Sequence, residues 1–175
     1  TRDGAGRPAV VYTDGTGARF TRWNGTQWVK ANGDAGADMV FAQTTDAARR
    51  VYMHYDVHAD APALTAITAH NHVAHVAWRD GQWQAMPDIG VTDGAGDTVR
   101  DVDVIHGADH APIVAMIVDR ADATTELRMF QSDRQQWKPS VMTLTHDEDG
   151  VRMHAIDAQM PVVICYDRDG RNGAI

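Results

Sequence analysis

Alternating apolar residues, hairpin-turn dipeptides and a proline-to-tryptophan unit that returns about every fifty residues predict an all-β chain. The architecture expected from that period is a β-propeller segment of four-stranded antiparallel blades, three of them complete and a fourth begun. The units read PAVVYTDGTGARFTRWNGTQW from Pro8, PALTAITAHNHVAHVAWRDGQW from Pro62 and PIVAMIVDRADATTELRMFQSDRQQW from Pro112. A fourth, PVVICYDRDGRNGAI, starts at Pro161. Taken from one proline to the next, the blades cover approximately 8–57, 62–105, 112–156 and, incompletely, 161–175, within one propeller fragment over 1–175.

Each unit opens on a strand rich in Val, Ile, Thr and Ala, at Ala9 to Thr13, Ala63 to Thr68, Ile113 to Val118 and Val162 to Tyr166. Proline suits the first residue of a strand, where its missing N–H removes no ladder bond. A polar turn leads to a second strand at Arg19 to Trp23, His72 to Trp78 and Glu126 to Gln131. Tight turns follow at Asn24-Gly25, Asp80-Gly81 and Ser132-Asp133, the first two being strong hairpin signals because both residues tolerate positive φ. A third strand starts at Trp28, Trp83 and Trp137. A fourth precedes the next proline, at Val51 to Val57, Val99 to Ile105 and Val151 to Ile156, with the related exits HADAP, HGADHAP and DAQMP. The stretch Asp38 to Thr44 fits none of these places and reads as an insertion in the first blade.

Stacked blades bury both faces of each sheet, so a segment of this kind is expected to associate, with the remaining blades of a longer chain or with itself. A monodisperse monomer in sedimentation that binds no hydrophobe-sensing dye would argue against that expectation.

The composition, 43% apolar and 23% charged, is that of a folded globular chain. Its apolar runs are too short to cross a bilayer, which takes about 18 residues, so no membrane span is expected. A net charge of −8, with the arginines scattered, makes nucleic acid an unsuitable partner, because phosphate binding needs a basic stripe. Cys165 is the single cysteine, so no intrachain disulfide forms, and its apolar strand points to a buried thiol rather than a nucleophile.

The pattern carried by Val102-Asp103-Val104, Asp109-His110-Ala111-Pro112 and Trp78-Arg79-Asp80-Gly81-Gln82-Trp83 resembles secreted bacterial β-propeller repeats related to the sialidase and BNR-repeat group. The resemblance implies a propeller fold, a glycan-related role and a secreted or cell-envelope location. It departs from the family at the Asp-box, S/T-x-D-x-G-x-x-W. The nearest stretch, Trp23-Asn24-Gly25-Thr26-Gln27-Trp28, lacks the leading Ser/Thr and the Asp, and no arginine triad is assignable.

The candidate binding residues lie at one loop rim: His58, Asp60, His106, Asp109 and His110 in the loops before the prolines, and Asn24 and Asp80 in the tight turns. Trp23 and Trp78, just before those turns, are the expected stacking platforms, whereas Trp28, Trp83 and Trp137 recur with the period and read as blade-to-blade packing. An aspartate that recurs in one loop equally well caps its own turn, and Asp14, Asp119 and Asp167 read that way. His70 and His72 are the candidate metal pair, since two apart on a strand they would share a face with His75 on the other side; their plainer reading is as turn and strand-entry residues of the second blade. The surrounding letters match an HNH nuclease core but lack its ββα-metal context. No cofactor is expected. The acidic stretches Asp147-Glu148-Asp149-Gly150 and Asp167 to Gly173 suggest calcium but lack the full twelve-residue loop.

The leading functional expectation is a scaffold that binds a glycan or a protein through its loop rim. A fragment of a glycan-active enzyme, a sialidase-like hydrolase or a polysaccharide lyase, is the alternative, and a structural assembly repeat is the second; no catalytic residue is assignable from the sequence.

Overall fold

The structure is a computed structural model that describes residues 2–3, 5–14, 16–42, 48–56, 59–68, 70–87, 89, 96–107, 109–132, 136–144, 150–155 and 161–166. All regular elements among them are β-strands, arranged in antiparallel sheets that fall into two compact units, Thr1–Asp88 and Ile89–Ile175. The first unit holds β1 (Ala9–Thr13), β2 (Gly17–Trp23), β3 (Trp28–Val29), β4 (Asp38–Ala42), β5 (Ala48–Asp56), β6 (Ala61–Thr68), β7 (Val73–Arg79) and β8 (Gln82–Ala85). The second holds β9 (Thr98–His106), β10 (Pro112–Asp119), β11 (Thr125–Ser132), β12 (Trp137–Leu144), β13 (Gly150–Ala155) and β14 (Pro161–Tyr166).

Every strand expected from alternation forms, but the sheets are phased one strand earlier than the proline-to-proline units. The strand before each proline pairs with the strand after it: β5 with β6, β9 with β10, and β13 with β14. The four-stranded sheets therefore run β5-β6-β7-β8 and β9-β10-β11-β12 as simple meanders. The physical reason is loop length. The exits HADAP and HGADHAP are short enough for a hairpin, and antiparallel neighbours need only a short turn. Each proline then sits on the first rungs of its ladder, opposite Tyr55, His106 and Ala155. Of the proline strands, β6 and β10 become central strands and are covered on both faces. All eight residues of β6 are buried, and β10 is nearly as enclosed.

The first sheet shows where the reading of Asp38 to Thr44 needs correcting. Residues Asp38–Ala42 are not an insertion but the continuation of the third strand, since β3 and β4 both pair with the same side of β2. Val29 lies opposite Arg22 and Asp38 opposite Phe20, so residues 30–37 leave the ladder across from Thr21 alone. The Thr21 hydroxyl fills that gap, within hydrogen-bonding reach of the carbonyl oxygens of Val29 (3.1 Å) and Gly36 (3.0 Å). Asp38 closes the excursion by accepting the Ala31 N–H at 2.7 Å.

Cores lie between sheets within each unit. In the first, Ala9, Phe20, Ala31, Leu64 and Val76 form the buried cluster, flanked by Val51, Met53, Trp78 and Trp83. In the second, Ala115, Ile117, Leu127, Val151 and Met153 do so, and they join β10 and β11 to β13. Alternation puts Asp101 and Asp103 of β9 on that same face. There they meet β13: Asp101 Oδ2 accepts the N–H of Val151 (3.1 Å), and Asp103 Oδ2 accepts the N–H of Met153 (2.8 Å). Arg152 donates to Asp101 as well, at 3.1 Å. Two carboxylates on one strand thus satisfy the donors of a strand edge in the next sheet, where an unpaired N–H would be costly.

Burial pushes the Asp103 carboxyl above its ordinary range, and the N–H bonds from Met153 and Val104 and the charge of Arg152 offset that only in part. A raised carboxyl favours folding most when protonated, and that contribution is lost as pH rises through the folded value. Asp101→Ala and Asp103→Ala should each cost about 1–3 kcal/mol by leaving a buried donor unmade. Asp103→Asn keeps an acceptor and should gain on the parent chain as pH rises from about 3 to 7. Thermal melts of the three variants across that range check both expectations.

Candidate functional site

Within the β5-β6-β7-β8 meander, the β5–β6 and β7–β8 hairpins fall at the same end of the sheet, which brings Asp60 and Asp80 to one end. The β6–β7 turn lies at the other, and His70 and His72 go with it. In the second unit His106, Asp109 and His110 share the end defined by the β9–β10 connection. His58 lies outside the described residues, as do Asp133, Asp147-Glu148-Asp149 and Asp167 to Gly173. The side chains of β14, with the Cys165 thiol, lie outside them too.

Most of the polar rim residues are engaged by their own turns. Asn24 Oδ1 accepts the N–H groups of Thr26 and Gln27, both at 2.9 Å, together with the Thr26 hydroxyl. Asp109 Oδ1 accepts the Ala111 N–H at 3.1 Å beside His110, whose φ of 63° completes the turn. Asp60 has a φ of 49°, and both its carbonyl and its carboxylate accept the Tyr55 hydroxyl at 2.8 Å. Asp80 and Gly81, with φ of 51° and 78°, form the two-residue hairpin whose positive-φ backbone twists with the strands. His106 is buried. Asp14 behaves as expected of a turn former, accepting Thr16 N–H and hydroxyl and pairing with Arg19. Asp119 does not: it forms an ion pair with Arg100 at 2.7 Å, and Asp122 makes that turn through Thr124 instead.

The histidine pair takes the turn and strand-entry places of its plainer reading and not the shared strand face of a metal pair. His70 and His72 belong to the β6–β7 turn, closed by Thr68 N–H to the His72 carbonyl and by Asn71 at φ 60°. His75 is on β7, fully buried, with its Nδ1 at 2.9 Å from the Thr65 hydroxyl. Among the described residues no three His, Cys, Asp or Glu side chains come together as a metal site requires.

The tryptophans carry the main surprise. They meet as cross-strand pairs, Trp23 opposite Trp28 and Trp78 opposite Trp83, edge to face at 5.6 and 5.5 Å between ring centres. Trp83 also packs edge to face on Phe20 at 5.4 Å, so the second pair belongs to the first unit's core. The first pair does not. Trp28, expected to be a packing residue, is 42% exposed, while Trp23 is half-buried beside it. Two indoles set at 66° therefore present an aromatic step at the Asn24 hairpin.

Sequence reasoning missed a buried ion group in the second unit. Asp97 accepts the Ala121 N–H at 3.1 Å and pairs with Arg120 at 3.2 Å, and Arg128, itself buried, binds Glu126 at 2.9 Å and approaches Asp97 at 3.9 Å. The one available signal was Arg128 interrupting the apolar alternation of β11. Charges this enclosed and this fully paired serve packing, since removing one partner strands the other.

No family model matches the chain, and no curated protein matches it. Among solved structures the chain is similar to a fucose lectin from Kordia zhangzhouensis in complex with methyl-fucoside, at 15% identity and a TM-score of 0.47, covering 82% of this chain and 97% of that one.

Asp14 offers a direct check on the turn chemistry. The Thr16 hydroxyl, then Arg19 and the Thr16 N–H, hold its carboxyl down to about 2. The contribution to folding is therefore present above the ordinary value of 3.8 and is lost as pH falls through about 2. A carbon-detected NMR titration should place its midpoint there, and Thr16→Val should move it back towards 3.8.

Proposed function

We propose that this chain is a glycan-binding scaffold, a β-propeller segment of a secreted or envelope protein, whose stacking platform is the Trp23–Trp28 step on the β2–β3 hairpin. The observation that carries this reading is the exposure of Trp28, at 42%, in an edge-to-face pair with Trp23. A large, stiff aromatic side chain at the surface offers contact area at little entropic cost and suits the apolar face of a sugar ring. The antiparallel ladder behind it fixes the platform, and binding residues belong on loops held by such a scaffold. The side chain of Asn24 is spent on its own turn. Ring hydroxyls would therefore be met by the Gln27 side chain, since the Thr26 hydroxyl is bonded to Asn24.

The same reading places Asp60 and Asp80 in supporting roles. Their hairpins shape one end of the β5–β8 sheet, and Trp78 and Trp83 hold that end to the core.

A glycan array probed with the intact chain, Trp28→Ala and Trp23→Ala tests the proposal. Bound glycans should lose about tenfold or more in affinity with Trp28→Ala, while its melting temperature falls only modestly because the ring lies outside the first unit's core cluster. Binding unchanged in both variants would contradict the platform, and an intact chain that binds no glycan would contradict the function. Turnover of sialosides or uronate polymers by the intact chain would favour an enzyme instead.

A further inference from the structure

Three Asx-Xaa-Thr turns among the described residues share one plan, in which the Asx oxygen accepts from the threonine two residues on. Asp14 Oδ1 accepts the Thr16 N–H at 3.0 Å and the Thr16 hydroxyl at 2.5 Å. Asp122 Oδ1 accepts the Thr124 N–H at 3.0 Å and the Thr124 hydroxyl at 2.6 Å. Asn24 Oδ1 takes the same two bonds from Thr26, at 2.9 and 3.0 Å, and adds the Gln27 N–H at 2.9 Å. The plan needs an oxygen acceptor and nothing more. A carboxylate meets it with shorter, charge-assisted bonds, as the hydroxyl distances to the two aspartates show.

Asparagine at 24 therefore brings one group that the turn does not use, its amide nitrogen. Three donors converge on Oδ1, which only the carbonyl end of a carboxamide can receive, so Nδ2 is turned out of the hairpin. Among the described residues Nδ2 makes no hydrogen bond. Residues 24–28 are all exposed, and the hairpin is closed by the Asn24 N–H to the Gln27 carbonyl at 3.1 Å. The tip is also roomy, since a Cβ added at Gly25 would meet nothing within 4 Å. Asn24-Gly25-Thr26 is at the same time an Asn-Xaa-Thr acceptor sequence, which belongs on a surface loop. The chain's other asparagines, Asn32, Asn71 and Asn172, are followed two residues on by Asp34, Val73 and Ala174.

We propose that Asn24 is a modification site, the acceptor of an N-linked oligosaccharide. The donor is an oligosaccharide carried on a lipid pyrophosphate. Nδ2 forms a bond to the anomeric carbon of the sugar, and that carbon's bond to the pyrophosphate oxygen breaks, releasing the lipid pyrophosphate. Nδ2 gives up one of its two protons to a base of the transferase. The Thr26 hydroxyl is the second group the transferase reads. The folded hairpin carries the product without loss, because Oδ1 keeps its three bonds while the bulky, solubilising sugar extends from Nδ2 into solvent. The proposal rests on the secreted or envelope location proposed above, and it does not need the Trp23–Trp28 step to bind glycans.

The test is peptide mapping by mass spectrometry of the intact protein, both from its native source and secreted by yeast, whose export pathway performs this transfer. Both should carry hexosamine-containing glycan at Asn24. In the yeast-secreted chain, Thr26→Ser should keep the modification, and Thr26→Val should lower occupancy about tenfold or more by removing the hydroxyl. Asn24→Asp should abolish it and melt close to the parent, because aspartate already builds this turn at Asp14 and Asp122. An unmodified Asn24 from either source overturns the proposal. So does occupancy that survives Thr26→Val, or a glycosylated chain that melts well below its enzymatically deglycosylated form. Chain produced without glycan transfer and probed on the glycan array reports on the Trp28 platform separately, so either proposal can fail alone.

Discussion

Pairing across the proline rung is the constraint on which this structure depends. A proline can open a strand without losing a ladder bond, and each short exit loop folds the preceding strand back onto that opening. In β6 and β10 the proline strand is then central, covered on both faces, and mostly apolar. Most polar residues fall at the strand ends and outer edges, with paired exceptions such as Thr65 and His75. The turns at the ends are consequently built from Asp and Asn that bond their own backbone. The edges must be satisfied by other means, and Asp101 and Asp103 do this for β13.

That division of labour explains why so many candidate residues turn out to be architectural. Asn24, Asp60 and Asp109 each spend acceptor capacity on a neighbouring donor, and Asp14 and Asp122 do the same at the other turns. What remains available at the surface is aromatic. Trp28 is exposed because the third strand of the first sheet breaks off after Val29, and the excursion of residues 30–37 separates it from β4. Trp83 occupies the corresponding place in an unbroken sheet and has Phe20 against it. One interruption in one strand thus leaves a packing position exposed.

The strands and most of the turns were legible because alternation and turn chemistry are local properties of the sequence. The phase of the sheets was not. A strand before proline can close one sheet or open the next with the same residues, and only the pairing partner distinguishes them. The β4 strand was misread for a related reason: Asp38–Ala42 carries ordinary alternation, but its place in the ladder is set by Thr21 on a distant strand. His70 and His72 were legible as turn and strand-entry residues, and Asn71 at positive φ shows how the turn is made. The carboxylate ties from β9 to β13 and the Asp97–Arg128 group join residues far apart in sequence, so spacing alone could not show them. Val102-Asp103-Val104 was noticed as part of a repeat pattern, and its role became visible only with β13 beside it.

The central claim is that the strand before each proline belongs to the same sheet as the strand after it. Cross-strand backbone NOEs in isotopically labelled protein test this most directly. The account predicts contacts between Val102–Val104 of β9 and Val114–Met116 of β10, in the antiparallel register that sets Val104 opposite Val114. Contacts from Val102–Val104 to the β8 strand at Gln82–Ala85, with none to β10, would contradict it.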